Sequence, residues 1–190
     1  MALIKDKRMD VELSPRLVAL RSGDAMRQLE VLYELRDGED ATLLPELLKM
    51  VTQAETDSQV RREVVELLSD VRSRALVAAM GEALRAGDEG PHLPLLVSIC
   101  WMNSMDFSPI LDELLELVSH SDLQVQVEAV TSVELALERS PLKKLREGIA
   151  VLKKRLQRVE GREAKALVKE MINTLEQHAM QRSGREEEPR

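Results

Sequence analysis

The chain has 190 residues, of which 44% are hydrophobic and 32% are charged, while only 2% are aromatic. Its net charge of −7 argues against broad nucleic-acid binding, because proteins that bind phosphates generally present a basic surface. One cysteine cannot form an internal disulfide, and the wealth of Leu, Ala, Glu and Arg favours helix over strand, so we expect an all-α protein.

The N-terminal segment, residues 1–12, is expected to stand apart or to belong to the first helix. Its apolar run is too short for the core of a signal peptide, and no stretch of the sequence approaches a membrane span. We therefore expect no membrane partner and a cytoplasmic location. A single domain is predicted over residues 13–180.

Four segments share a pattern that begins with aspartate and places apolar residues at the eighth, ninth and twelfth positions. They begin at Asp24, Asp57, Asp88 and Asp122. An aspartate can accept hydrogen bonds from the unpaired amides of a first helical turn, and the three apolar places share one helical face. Four inner helices are therefore predicted. Their predicted core residues are Val31, Leu32, Leu35, Val64, Val65, Leu68, Leu95, Leu96, Ile99, Ala129, Val130 and Val133.

Amphipathic stretches lie between these segments and predict the outer helices. Their predicted ranges are 13–20, 42–54, 74–86 and 108–119. A fifth pair of helices, at 141–159 and 162–180, closes the array. Residues 181–190 are polar and charged, so a disordered tail is predicted there.

The segment from Asp57 to Leu68 reads D-x-x-V-R-x-x-V-V-x-L-L, and the segment from Asp122 echoes it as D-x-x-V-Q-x-x-A-V-x-x-V. On these residues the chain resembles the HEAT and HEAT-like repeat family, and its units are closest to the short repeats of bilin-lyase-type proteins. The resemblance implies an α-solenoid of about five antiparallel helix pairs in a right-handed superhelical stack.

In the HEAT family, the aspartate and the arginine link neighbouring inner helices by hydrogen bonds. The resemblance carries this structural role over to Asp57 and Arg61. Gln28, His92 and Gln126 occupy the arginine place in the other segments, so a continuous ladder is not expected.

Function in such an array must lie on its exposed side chains, since the repeat itself only builds the stack. The sixth, seventh and tenth places are expected to face the concave side, where acidic residues flank an apolar centre. A groove that binds a protein segment with apolar and basic groups is predicted. Its residues are Tyr33, Glu63, Glu66, Leu93, Val97, Trp101, Val127, Glu128 and Thr131.

The stretch from Pro91 to Met105 carries no charge and holds the only tryptophan and the only cysteine. Leu93, Val97 and Trp101 follow one another at intervals of four, which predicts one stripe on the concave face. Because an uncharged helix must be covered, three interpretations stay open: a docking surface for a partner, a contact with a second copy, or plain core.

Residues 141–169 contain ten basic side chains against three acidic ones. Lys153, Lys154, Arg155 and Arg158 form the predicted basic patch within this stretch. A solvated outer face, a site for a polyanion or acidic partner, and a contact with the acidic groove of another copy are the three interpretations.

The sequence has no Gly-rich phosphate loop, no G-x-S-x-G and no H-E-x-x-H, and its three histidines lie far apart. We expect a non-enzymatic scaffold or adaptor that needs no cofactor or metal. The resemblance implies two alternatives, a bilin-lyase-type subunit and a glycosylase that removes alkylated DNA bases. Acidic inner helices with one Tyr and one Trp argue against the glycosylase.

Overall fold

The computed structural model describes residues 14–36, 38, 40–87 and 90–186, with side chains up to residue 184. Within these ranges the chain forms ten α-helices and no β-strand, as the composition predicts. Short 3₁₀ turns, Ala41–Leu43 and Ser108–Ile110, lead into the third and seventh helices. The helices are α1 Pro15–Leu20, α2 Ala25–Arg36, α3 Leu44–Thr52, α4 Ser58–Asp70, α5 Arg74–Ala86, α6 Leu93–Met102, α7 Leu111–Leu117, α8 Leu123–Leu137, α9 Leu142–Leu156 and α10 Arg162–Glu186.

Three of the four aspartates start helices as predicted. The carboxylate of Asp57 accepts hydrogen bonds from two first-turn amides at 2.8 and 3.2 Å, and that of Asp122 does the same at 2.7 and 3.4 Å. Asp24 accepts from the amide of Met26 at 3.0 Å. Asp88 lies outside the described residues, and the helix that follows it begins only at Leu93.

Helices pack in a regular order along the chain. The even-numbered helices contact one another in sequence from α2 to α10, and the odd-numbered helices do so from α3 to α9. Each of α1, α3, α7 and α9 also packs against the helix that follows it, while α6 packs against α3, α4 and α8. The buried apolar side chains consequently form one continuous core.

The predicted core places are confirmed with one exception. Nine of those twelve residues are buried, while Val65 and Val130 are half-buried. Leu95 is exposed instead, and the core side of α6 is made by Leu93, Leu96, Val97, Ile99 and Cys100. The face of α6 differs because this helix begins only at Leu93, and its cap residue, His92, makes no side-chain hydrogen bond to the first turn.

The residue at the fifth place of an aspartate segment ties the inner helix to the turn before it. Arg61 donates to the carbonyl oxygens of Val51, Gln53 and Thr56 at 3.1, 2.7 and 2.9 Å. Gln28 donates in the same way to the carbonyl of the last residue of α1, at 2.7 Å. Carbonyls at the end of a helix lack helical partners, so a side-chain donor stabilises them.

This arrangement corrects the role inferred for Asp57 and Arg61. Asp57 caps its own helix, and the hydrogen bonds of Arg61 stay within the α3–α4 unit rather than joining α4 to a neighbouring inner helix. Gln126 likewise donates to the carbonyl of His120 at 2.7 Å, so glutamine substitutes for arginine at this place.

Helix α10 continues through residues 181–186 of the predicted tail. Arg182 holds this part of the helix against the end of α8. Its guanidinium donates to the carbonyl oxygen of Leu137 at 2.9 Å, and also to those of Glu138 and Ser140. A basic side chain at the carboxyl end of another helix is favoured by the partial negative charge there.

Candidate functional site

The stripe predicted on α6 divides between the core and the surface. Leu93 is 6% exposed and Val97 is 0% exposed, whereas Trp101 is 39% exposed. The prediction that Leu93 and Val97 line an open groove is therefore wrong, and plain core is their correct interpretation. Packing of α6 against three other helices buries most of its circumference.

The exposed side of α6 carries apolar residues without any charge. Leu95, Trp101 and Met102 lie on it, and Met102 is 45% exposed. Ser98 lies between them in the helical projection and is nearly buried, with its hydroxyl donating to the carbonyl of Leu95 at 2.8 Å. Large apolar side chains thus protrude around Ser98, whose hydroxyl is already hydrogen-bonded within the helix.

Trp101 is held in place by helix α8. Its indole Nε1 donates to Oε2 of Glu128 at 2.7 Å, while Oε1 of the same carboxylate accepts from Nε2 of Gln124 at 2.5 Å. A buried or half-buried indole needs such a partner for its polar edge. This hydrogen bond orients the ring, and part of its apolar surface stays open to solvent.

Helix α8 adds an exposed apolar residue to the cleft that this tryptophan lines. Leu135 is 60% exposed and lines that cleft with Trp101 and Met102. We refer to Trp101, Met102 and Leu135 together as the α6–α8 patch. Single exposed apolar residues are ordinary on a protein surface, but an anchored tryptophan grouped with two others is typical of an interaction site.

A cleft of about 400 Å³ opens between the carboxyl ends of α6 and α8. The walls of this cleft contain aromatic and aliphatic side chains of the patch and polar groups of the loop after α6. Asn103 fixes this loop, since its Nδ2 donates to the carbonyls of Leu68 and Val71 at the end of α4, at 2.8 and 2.9 Å. The residues that line the cleft include Trp101, Met102, Ser104, Asp106, Ser132, Leu135, Glu138 and Arg139.

The remaining predicted groove residues do not assemble into one surface with the patch. Tyr33 is exposed on α2, a helix that packs against α1 and α4 rather than α6. Thr131 is half-buried, and its hydroxyl donates to the carbonyl of Val127 at 3.1 Å. Glu128 does contact Trp101, and Val127 is exposed on the same helix.

The acidic residues predicted to steer a basic partner on α4 are already paired. Glu63 and Glu66 lie 2.7 and 3.2 Å from the same guanidinium nitrogen of Arg36. These hydrogen bonds raise the pKa of Arg36 above its usual value. The α4 carboxylates therefore connect α2 to α4.

The predicted basic patch is divided in a similar way. Lys153 pairs with Glu176 of α10 at 2.6 Å, and Arg155 pairs with Glu116 of α7 at 2.8 Å. Lys154 and Arg158 are exposed. Two of the four predicted cations thus join α9 to the neighbouring helices.

Reactive chemistry is sparse in the described part of the chain. Cys100 is buried, and burial raises the pKa of its thiol, which disfavours the nucleophilic thiolate. No group of three or more His, Cys, Asp or Glu side chains there could hold a metal ion. Among the same residues, no helix combines the length and apolar character that crossing a membrane requires.

Sequence reasoning missed Leu135 because it lies beyond the twelfth place of the repeated pattern. An exposed leucine on an amphipathic helix has the same sequence signature as a core leucine, so only the packing of α8 distinguishes them. The uncharged character of residues 91–105 was the available signal for Met102.

Comparison of the chain with protein-family models, with curated proteins and with solved structures found no match.

Proposed function

We propose that this protein is a non-enzymatic interaction scaffold, built as a HEAT-like α-solenoid of about five helix pairs in a right-handed stack. The order of helix contacts supports this architecture, since even-numbered helices follow even-numbered ones and odd-numbered helices follow odd-numbered ones. An aspartate cap recurs at the start of α2, α4 and α8. In each case the side chain at the fifth place of the aspartate segment donates to a backbone carbonyl that precedes the helix. Such stacks present long surfaces for partners.

The observation that carries the proposed function is the anchored but open indole of Trp101 in the α6–α8 patch. A preorganised aromatic ring loses little conformational freedom on binding, so more of its contact energy contributes to affinity. Met102 can adapt its unbranched side chain to the partner, and Leu135 completes the apolar wall of the cleft. We infer that a partner protein inserts a segment here.

The test compares capture by the full chain with capture by a Trp101→Ala/Leu135→Ser double variant. Tyr33→Ala is the matched control, because it removes another exposed aromatic side chain outside the patch. We expect a protein that wild type and the control both retain and that the double variant loses. The affinity of the captured protein for the double variant should be lower than its affinity for wild type by about thirtyfold or more, as expected for an interfacial hot spot worth about 2 kcal/mol.

Two further measurements make this result interpretable. The single variant Leu135→Ser breaks no side-chain hydrogen bond, so it should keep wild-type thermal stability while weakening the same interaction. Light scattering across a wide concentration range should show a monomer, and a patch-dependent dimer would identify a second copy as the occupant. Partners retained equally by wild type and both patch variants would contradict the proposed surface.

A further inference from the structure

Helices α6, α7 and α8 carry charge of one sign, while Arg139, the first cation after α8, also lines the cleft. No lysine or arginine occurs between Arg85 and Arg139, a stretch that includes all of α6, α7 and α8. Every charged side chain of these three helices is therefore a carboxylate. The described acidic residues of the stretch are Asp106, Asp112, Glu113, Glu116, Asp122, Glu128, Glu134 and Glu138.

The acidic residues of α7 are neutralised by the helices on either side. Asp112 pairs with Lys144 of α9 at 2.9 Å, Glu113 pairs with Arg85 of α5, and Glu116 pairs with a guanidinium of α9. Cations supplied from outside the stretch thus satisfy each carboxylate of this helix. Its charges hold the odd-numbered helices together.

The carboxylates on α8 and just after it are not paired in this way. Glu134 and Glu138 form no ion pair with any described side chain, although Arg139, next to Glu138 in the sequence, also lines the cleft. Among the described side chains, Glu128 is bound by the neutral donors of Trp101 and Gln124. A partner that covers the patch would draw these charges into a less polar environment, which is costly unless the partner brings cations.

From this charge pattern we propose that the occupant of the α6–α8 patch is a protein segment that carries lysine or arginine next to apolar anchors. The inference rests on the proposed function and names the chemistry of the partner. Apolar side chains would fill the cleft beside Trp101 and Leu135, and basic side chains would meet Glu128, Glu134 and Glu138. A symmetric second copy fits poorly, because it would face these carboxylates with carboxylates of its own.

A selection from a random peptide library displayed on phage tests the proposal with the full-length chain. Peptides that bind the Trp101→Ala/Leu135→Ser variant are removed first, so that the survivors depend on the patch. We expect the survivors to combine aromatic or aliphatic residues with an excess of Lys and Arg over Asp and Glu. Trp101-dependent peptides without that excess would overturn the inference that the partner is basic, but not the proposed function. The absence of any patch-dependent peptide would overturn both the inference and the proposed function.

A charge-reversal variant provides a second test with the selected peptides. Glu134→Lys/Glu138→Lys should weaken their binding by about tenfold or more at low salt and should reduce its salt dependence. Glu30→Lys/Glu170→Lys is the matched control, since both glutamates are exposed and lie on α2 and α10, outside the patch. If both double variants lose affinity equally, or if neither loses affinity, the proposed role of the α8 carboxylates is overturned.

Discussion

The guanidinium of Arg61 is almost fully buried and faces three backbone carbonyl oxygens at the turn between α3 and α4. Buried carbonyls without donors are costly, so one side chain stabilises a turn whose backbone hydrogen bonds are few. A structural role at this place could be predicted from the sequence pattern, but the hydrogen-bond partners of Arg61 could not. The family analogy pointed to a neighbouring helix, whereas the carbonyls that Arg61 binds lie at the end of α3 and in the turn after it.

Replacing Arg61 with methionine should lower the free energy of unfolding by about 3 kcal/mol, because three carbonyls would lose hydrogen bonds from a charged donor. Chemical denaturation measures the change. Arg62→Met is the matched control on the same helix, and since Arg62 is exposed its effect should stay within about 0.5 kcal/mol. Equal losses in the two variants would show that the turn does not depend on the buried guanidinium.

At the scale of one helix, α6 shows which sequence signals suffice and which do not. Its apolar composition predicted a helix correctly, but an uncharged segment offers no polar face to fix its rotation. The pattern of the other segments sets the predicted register of this helix, with Asp88 at the first place. The helix begins instead at Leu93, with Pro94 in its first turn, and this start puts Leu93 and Val97 in the core and Leu95 on the surface.

Close approach of α9 to α7 depends on a glycine inside a helix. A Cβ atom added to Gly148 would lie 2.5 Å from Cδ1 of Leu115, a residue that is itself buried. Glycine lowers intrinsic helix stability, so its presence here indicates that packing outweighs propensity. Because Gly148 has no side chain, α9 can pack closely against α7.

Gly148→Leu should destabilise the protein by about 1–3 kcal/mol through overpacking, in spite of the better helix propensity of leucine. Gly184→Leu in α10 is the matched control, because no atom lies within 4 Å of a Cβ built there. That variant should gain up to about 1 kcal/mol from propensity alone. Thermal and denaturant unfolding report both effects, and a stabilised Gly148→Leu protein would contradict the close packing of α7 and α9.

For the whole molecule, extensive contacts join helices no more than three positions apart along the chain. Stability should therefore be graded, with central helices supported from both sides and α1 supported mainly by α2. The period of the aspartate segments made most of this order predictable. The ion pairs between helices, such as Arg36 with Glu63, could not be predicted, because they depend on which surfaces meet after folding.

Hydrogen exchange should display this gradient directly. Amides of α4 and α8 are expected to exchange at least about a hundredfold more slowly than those of α1, since opening the centre breaks contacts on two sides. Mass spectrometry of peptic fragments resolves the helices. Equal protection in α1 and α8 would mean that the chain unfolds as one fully cooperative unit instead.

The absence of Lys and Arg between Arg85 and Arg139 also has an analytical consequence. Trypsin cuts only after these two residue types, so the proposed docking surface would remain within one long fragment of any digest. Amine-reactive cross-linkers would find no lysine on α6, α7 or α8 to mark a bound partner. Carboxylate-directed coupling at Glu134 and Glu138, followed by cleavage after acidic residues, is the chemistry that would map a complex at this surface.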